Sequence, residues 1–342
     1  MDITKLATIL DDTASNTDFS GAIHIRQGER NIYQKAFGYA DRSNKIPNSL
    51  DTRFGIASGT KFFTALAVGK LIEAGKLDFS DKVADLIPWD FQQYSRGITV
   101  RQLLTHTSGI PDYYDEEMVD DFDNFTVEVP WNELKGPRDY LAVFPDEAMK
   151  FSPGERFSYS NSGYILLGIL IEEISSMPYR EFIEKEIFAP IGMKRSGYFA
   201  MNRLPEGTAF GYVEDAEGWR TNIYNLPIIG ASDGGAYTTI HDLERLWDAF
   251  WSYDILSKEM VEIYTAPFVE VKGEGANKFY GHGIWVRKGD TINTEEYIEG
   301  SDAGVSFYSG VIRGESLLIT VISNTSSGAW PILRAIDGIL KD

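Results

Sequence analysis

Ser58 and Lys61 stand three residues apart in the stretch Phe54-Gly-Ile-Ala-Ser-Gly-Thr-Lys61. The residues that follow repeat apolar side chains at helical steps (Phe62, Phe63, Leu66, Ala67, Leu71), with Gly75 as a stop. On such a helix the two side chains share one face, about one turn apart. Two readings are open. Ser58 is either an N-cap followed by a solvated lysine, or a nucleophile beside its base. A chain of this length is expected to contain about one Ser-x-x-Lys by chance, so the spacing alone does not decide. The setting permits chemistry without preferring it to the cap: a helix N-terminus and the rings of Phe54, Phe62 and Phe63 would both disfavour an ammonium, and a neutral lysine could take a serine proton.

The elements that would carry this pair follow from periodicity. Residues 1–12 read as an amphipathic first helix. Gly21–Arg26 and Asn31–Gly38, around Gln27-Gly-Glu-Arg30, read as a β-hairpin, with His24 structural. Thr99–Gly109 reads as a capped helix closed by its glycine, and His106 at its end reads as a hydrogen-bonded structural histidine. A turn at Pro153-Gly154 leads to Tyr159 and Asn161, and a buried helix follows over about 164–175. Another helix is expected over about 179–187. Gly230–Thr239, Gly-rich without a Gly-Lys-Ser/Thr, reads as a close-packing loop rather than a phosphate cradle, ahead of a helix at about 240–252. Segments 280–287, 295–299, 305–313 and 316–323 alternate as an antiparallel meander, and a helix over about 329–340 closes the chain. Strands at both ends and helices between them give an α+β fold, with the N-terminal hairpin joining the C-terminal meander. No linker or repeat divides it: a single domain is expected, with an α/β part at about 1–60 and 230–342 and a helical part at about 61–229.

Composition narrows the function. The 342 residues are 43% hydrophobic and 24% charged, with 51 acids against 32 basic residues and a net charge of -19. Such a surface repels phosphate backbones, so nucleic-acid binding is excluded as an expectation. The absence of cysteine removes thiol nucleophiles and thiolate metal sites. The four histidines are scattered without a ligand-pair spacing, so no metal site is expected. There is neither a signal-like start nor a long apolar run, so a cytoplasmic protein without a membrane span is expected. Residues 112–128 hold eight acids (Asp112, Asp115, Glu116, Glu117, Asp120, Asp121, Asp123, Glu128) among Tyr113, Tyr114, Phe122 and Phe125. By default this is a solvated loop; bordering a cleft, it would favour cationic or amine-bearing substrates.

Ser58-x-x-Lys61, Tyr159-Ser-Asn161 and a Gly-bearing strand entry at 300–304 occur in that order. With them come Leu103-Leu-Thr-His-Thr-Ser-Gly109, Pro190-Ile-Gly-Met193 and Gly234-Gly235 before Thr238-Thr239. The chain thereby resembles, over nearly its whole length, the penicillin-recognising serine hydrolases, in the branch of class C β-lactamases, D,D-peptidases and family VIII esterases. The resemblance implies an antiparallel sheet flanked by helices beside an all-helical subdomain, with the site between them and no cofactor. It implies that Ser58 attacks an ester or amide carbonyl to form an acyl-enzyme. Lys61 and Tyr159 would share base and acid work, the ammonium favouring a tyrosine phenolate. Asn161 would orient Lys61 and the acyl side chain, and the Ser58 and Gly304 N–H groups would form the oxyanion hole.

One motif departs from the family. At Gly300-Ser-Asp-Ala-Gly304, Ser301 stands where a cation usually binds a substrate carboxylate, Ala303 replaces a glycine, and Asp302 adds negative charge. Weak β-lactamase activity at most is expected. The leading expectation is a serine hydrolase of small esters, amides or peptides, either a carboxylesterase or a D,D-peptidase or aminopeptidase-like enzyme. The alternative is a catalytically degenerate binder of peptide or cell-wall fragments.

Overall fold

A computed structural model describes residues 2–91, 93–119, 121–273, 277–289 and 293–341; Asp120 of the acidic run lies outside the described residues. The alternating segments at the two chain ends pair as one eight-stranded antiparallel sheet. Its strands are β1 (Gly21–Gln27), β2 (Arg30–Phe37), β3 (Val269–Glu270), β4 (Lys278–Tyr280), β5 (Trp285–Lys288), β6 (Thr294–Asp302), β7 (Val305–Ile312) and β8 (Leu317–Ser323). They lie in the order β2-β1-β8-β7-β6-β5-β4-β3. The hairpin joins the meander through β1 and β8, in a register that sets Ile23 opposite Val321.

Alternation fixes which face each residue covers. Ile23, Ile25, Tyr308, Ile319 and Val321 pack with α1 (Ile3–Asn16) and the C-terminal helix Ala329–Lys341. Ala22, Phe307, Val311, Leu318 and Ile322 face the opposite core. That core includes α2 (Thr60–Glu73) and α3 (Asn161–Ser175), which are apolar almost all round and correspondingly buried. It also takes in α4 (Ile240–Trp251), whose Trp247 donates through Nε1 to Ser309 Oγ at 2.8 Å. His24 is structural, its Nε2 bonded to Asn31 Oδ1 at 2.8 Å.

Three local expectations need correction. Ser58 does not cap a helix. It sits in a 3-10 turn, Ala57–Gly59, and α2 begins only at Thr60. The buried helix α3 begins at Asn161 instead of about 164. Ser160 caps it by accepting from Gly163 N at 3.1 Å, and Asp112 accepts the N–H groups of Asn161 and Ser162, each at 2.8 Å. The helix after Thr99 is only Val100–Leu104, held by a reciprocal Thr99–Gln102 capping box, and the first left-handed residue beyond it is His106 (φ 54°), with Gly109 (φ 75°) too far on to close it. Gly109 serves elsewhere, since a Cβ there would lie 2.4 Å from Phe151 O.

The Gly-rich loop does pack backbone on backbone: a Cβ at Gly235 would meet Gly230 Cα at 2.7 Å. Strand β6 likewise presses on the Ser58 turn. A Cβ on Gly300 would stand 2.3 Å from Ile56 O and 2.8 Å from Ser58 N, and backbone cannot move aside as a flexible side chain can. Gly300→Ala is therefore expected to destabilise the protein by about 1–3 kcal/mol, as overpacking does. The measure is a lowered urea midpoint; an unchanged midpoint would show that the turn yields freely.

Candidate active site

Ser58 is presented by strain and clamps. Ala57, immediately before it, has φ 45°, a region that residues with a Cβ seldom occupy. The turn is tied down on both sides: Ile56 N donates to Ala236 O at 3.0 Å, and Thr60 Oγ1 donates to Ala57 O at 2.7 Å. Because Gly59 occupies the cap position without a side-chain cap, the Ser58 hydroxyl is not consumed by the helix. It is half-buried and borders two recesses.

Lys61 is 2% exposed, in the first turn of α2. Its Nζ lies 2.9 Å from Ser58 Oγ, 2.6 Å from Asn161 Oδ1 and 2.7 Å from Asp233 O. The two amide-type oxygens can only accept. A neutral amine has two N–H donors for them and one lone pair left for the Ser58 O–H. Burial pulls the Lys61 pKa below its ordinary value, against the raising fields of Asp233, Glu116, Asp112 and Asp302.

Asn161 spends its amide in fixing that lysine. Its Oδ1 accepts from Lys61, while Nδ2 donates to Asp112 Oδ2 and to Tyr114 O, each at 3.0 Å. Both N–H groups are thus engaged, and the expected second role of orienting a substrate side chain has no donor to perform it. Asp112 also accepts from Ser162 Oγ at 3.0 Å, and burial raises its pKa to about 6 despite these bonds.

Tyr159 lies beside the pair, with Lys61 Nζ 4.8 Å from its ring centroid. The expected phenolate is not supported. Burial, then the charges of Glu116 and Glu299, push its pKa well above the ordinary tyrosine value, outweighing the Ser58 hydroxyl, so the phenol keeps its proton. His106 packs on it with ring centroids 4.2 Å apart, and Nδ1 accepts from Ser160 N at 3.0 Å, which places the imidazole proton on Nε2. Burial and Lys61 hold this histidine's pKa well below its ordinary value. It is structural, as its sequence position implied.

The third motif lies on β6 and the turn beyond it. Glu299, Gly300 and exposed Ser301 line one recess with Ser58 and Tyr159. Half-buried Asp302 lines the other with Ser58 and Asn161. The Gly304 N–H assigned to the oxyanion hole has another partner: it donates to Ser326 Oγ at 2.8 Å. It is the Gly300 segment of β6 that abuts the Ser58 amide.

The acidic run is not merely a solvated loop. Asp112 is buried, Tyr113 donates its O–H to Asp233 Oδ2, and Glu116 and Glu117 border the cleft. Sequence reasoning missed Asp233, whose Gly-rich setting carries no chemical signal. It also missed Lys278 on β4, which lines the Tyr159 recess, 3.4 Å from Glu299 and 4.1 Å from the Trp285 ring centroid.

Comparisons with known proteins bear on the family and the fold. The model of a family described as Beta-lactamase matches residues 9–338. Penicillin-binding protein 4* of Bacillus subtilis (strain 168) is 33% identical over 298 residues, covering 82% of this chain, which spans 62% of that protein's length. The crystal structure of a penicillin binding protein from Bacillus halodurans is 39% identical, with a TM-score of 0.90, over 96% of this chain and 99% of its own. The octameric penicillin-binding protein homologue from Pyrococcus abyssi is 31% identical, with a TM-score of 0.86, over 100% of this chain and 78% of its own.

Asp112 links the loop to the start of α3, so Asp112→Ala leaves two buried backbone N–H groups unpaired. A loss of about 2 kcal/mol or more is expected, read by chemical denaturation. A variant as stable as the parent would show that another acceptor replaces the carboxylate.

Proposed function

The chain belongs to the Beta-lactamase family, and from that premise we propose that it is a serine hydrolase that cleaves esters or amides through an acyl-enzyme on Ser58. The observation that carries this reading is the buried Lys61 Nζ, 2.9 Å from Ser58 Oγ and faced otherwise by two acceptors, Asn161 Oδ1 and Asp233 O. The lone pair of neutral Lys61 takes the Ser58 proton as Oγ bonds to the substrate carbonyl carbon. The Ser58 N–H and a backbone N–H of the adjoining 300–302 segment receive the oxyanion. Tyr159, protonated, gives its proton to the leaving group as that bond breaks. The Lys61 ammonium then gives its proton to the Tyr159 phenolate beside it, which leaves both groups neutral again. Water hydrolyses the ester to release the acid and free Ser58. Asn161 is a positioning residue in this scheme.

Because Tyr159 protonates the leaving group, that group lies in the recess that Tyr159 lines, and the acyl part lies on the Asn161 side. Among the described residues, the leaving-group recess carries Glu116, Glu117, Glu155, Glu270 and Glu299 against Arg156, Lys272 and Lys278, the last beside Glu299, and so keeps an excess of negative charge. Penicillins, which are anionic, are therefore expected to acylate Ser58 more slowly than neutral esters. The degenerate-binder reading would account for the altered β6 motif. It gives no reason to bury a lysine against a reactive serine.

Intact mass after incubation with a p-nitrophenyl ester, and separately with a penicillin, tests the nucleophile. Wild type gains an acyl adduct or turns the ester over, and Ser58→Ala does neither; an adduct that persists in Ser58→Ala rules Ser58 out. Lys61→Ala is expected to slow acylation at neutral pH by about a hundredfold or more. The wild-type rate should rise with pH through a value below the ordinary lysine pKa, as Lys61 loses its proton. Tyr159→Phe should harm anilides and alkyl esters, whose leaving groups need a proton, more than p-nitrophenyl esters. An equal effect on both would remove it as general acid.

A further inference from the structure

The recess on the acyl side has a chemical character of its own. Tyr113, Tyr114, Phe125, Trp131 and Phe199 ring it, with the Tyr114 and Phe125 centroids 4.5 Å apart. Among the described residues that line it there is no Lys, Arg or His, and two are carboxylates, Asp233 and Asp302. The Asp233 carboxylate already accepts from Tyr113. Asp302 has no such donor: among the described residues none hydrogen-bonds its side chain, and its electrostatic neighbours are Lys61, Asp233 and Glu116. Trp131, a lining residue, also keeps a buried Nε1–H without a partner among the described residues. An aromatic wall beside an uncommitted carboxylate is the setting that receives an ammonium group, by charge-assisted hydrogen bonding and by attraction to ring faces.

We propose that this recess receives the α-ammonium group of the acyl donor against Asp302, with an apolar or aromatic side chain packed among the rings. The preferred substrates are then aminoacyl esters and amides, or peptides with a free N-terminus. An α-nitrogen is attached to the carbon next to the attacked carbonyl, and Asp302 and Ser58 border the same recess. The inference rests on the acyl-enzyme reading and adds the substrate class. It also gives a use to the carboxylate that stands at the end of β6.

The pH behaviour follows from the surroundings. Burial raises the Asp302 carboxyl to about 7; Lys61 opposes the rise, and Asp233 and Glu116 add to it. The Tyr114 and Tyr140 phenols also lie within its field and stay protonated. A substrate ammonium favours the ionised carboxylate, so selectivity for free amines should strengthen as pH rises through about 7. It should fade again as the substrate ammonium loses its proton near about 8.

The test compares phenylalanine p-nitroanilide with its N-acetyl derivative, both enantiomers of each, as the ratio of kcat/KM values. Wild type should favour the free amine by about tenfold or more, the scale of a charge-assisted contact. Asp302→Asn should lower the ratio by a similar factor, while Asp302→Glu should retain part of it. Reading the ratio removes any shared effect of the substitutions on Lys61 or on folding. A preference for the acetylated series, or a ratio that Asp302→Asn leaves unchanged, overturns the proposal and leaves the hydrolase intact. If neither series acylates Ser58 and p-nitrophenyl esters also fail, the hydrolase reading falls, and this inference with it.

Discussion

A lysine nitrogen withdrawn from water is stable only if its hydrogen-bonding capacity is met without requiring a full charge. At Lys61 the surroundings meet that condition. Two acceptors hold the amine, and its remaining hydrogen-bond contact is the Ser58 hydroxyl. Each of these contacts comes from a different part of the chain. The 3-10 turn presents Ser58, the first residue of α3 presents Asn161, and the Gly-rich loop presents the Asp233 carbonyl. The lysine is therefore a point of convergence. A shift in any one of these segments would leave a buried polar group short of a partner.

The rest of the architecture serves to keep those segments in register. The sheet brings β6 against the Ser58 turn closely enough that only glycine fits at position 300. Asp112 winds the first turn of α3, so the residue that holds the lysine is itself held from the acidic loop. His106 supports the same region, taking a backbone N–H in its Nδ1 and packing against Tyr159 at a tilt of 31°. Its left-handed backbone is a local cost that the aromatic enclosure of Phe157, Tyr159, Tyr164 and Tyr280 offsets.

Much of this was legible in the sequence because it rests on periodicity and on residue types with narrow uses. The alternating segments and the apolar helices needed no tertiary information, whereas Ser58, Lys61, Tyr159 and Asn161 were joined into one set only by the family resemblance. What escaped was decided by contacts between distant segments. The helix at Asn161 starts early because Asp112, nearly fifty positions away, supplies acceptors to its first turn. Ser58 fails as a cap because the loop from Gly230 to Gly235 fixes a 3-10 turn in front of the helix. The Tyr159 phenol was misjudged for a related reason. The neighbouring amine was visible as Lys61, but the burial and the glutamates that raise the phenol's pKa come from other elements.

The acids around Lys61 also bear on what a titration of this site would report. Their fields raise the lysine pKa while burial lowers it, and burial prevails. Three of those acids have pKa values raised by burial themselves, Asp233, Asp112 at about 6 and Asp302 at about 7. As any of them takes up a proton, one attractive field on the ammonium is lost, and the lysine becomes easier to deprotonate. The protons on these groups are therefore interdependent, and the midpoints of a pH profile belong to the cluster as a whole. The surplus of acid in the loop and on β6 then has two effects on one centre. It moderates the cost of burying an amine, and it gives the cleft the sign of charge that suits a cationic substrate.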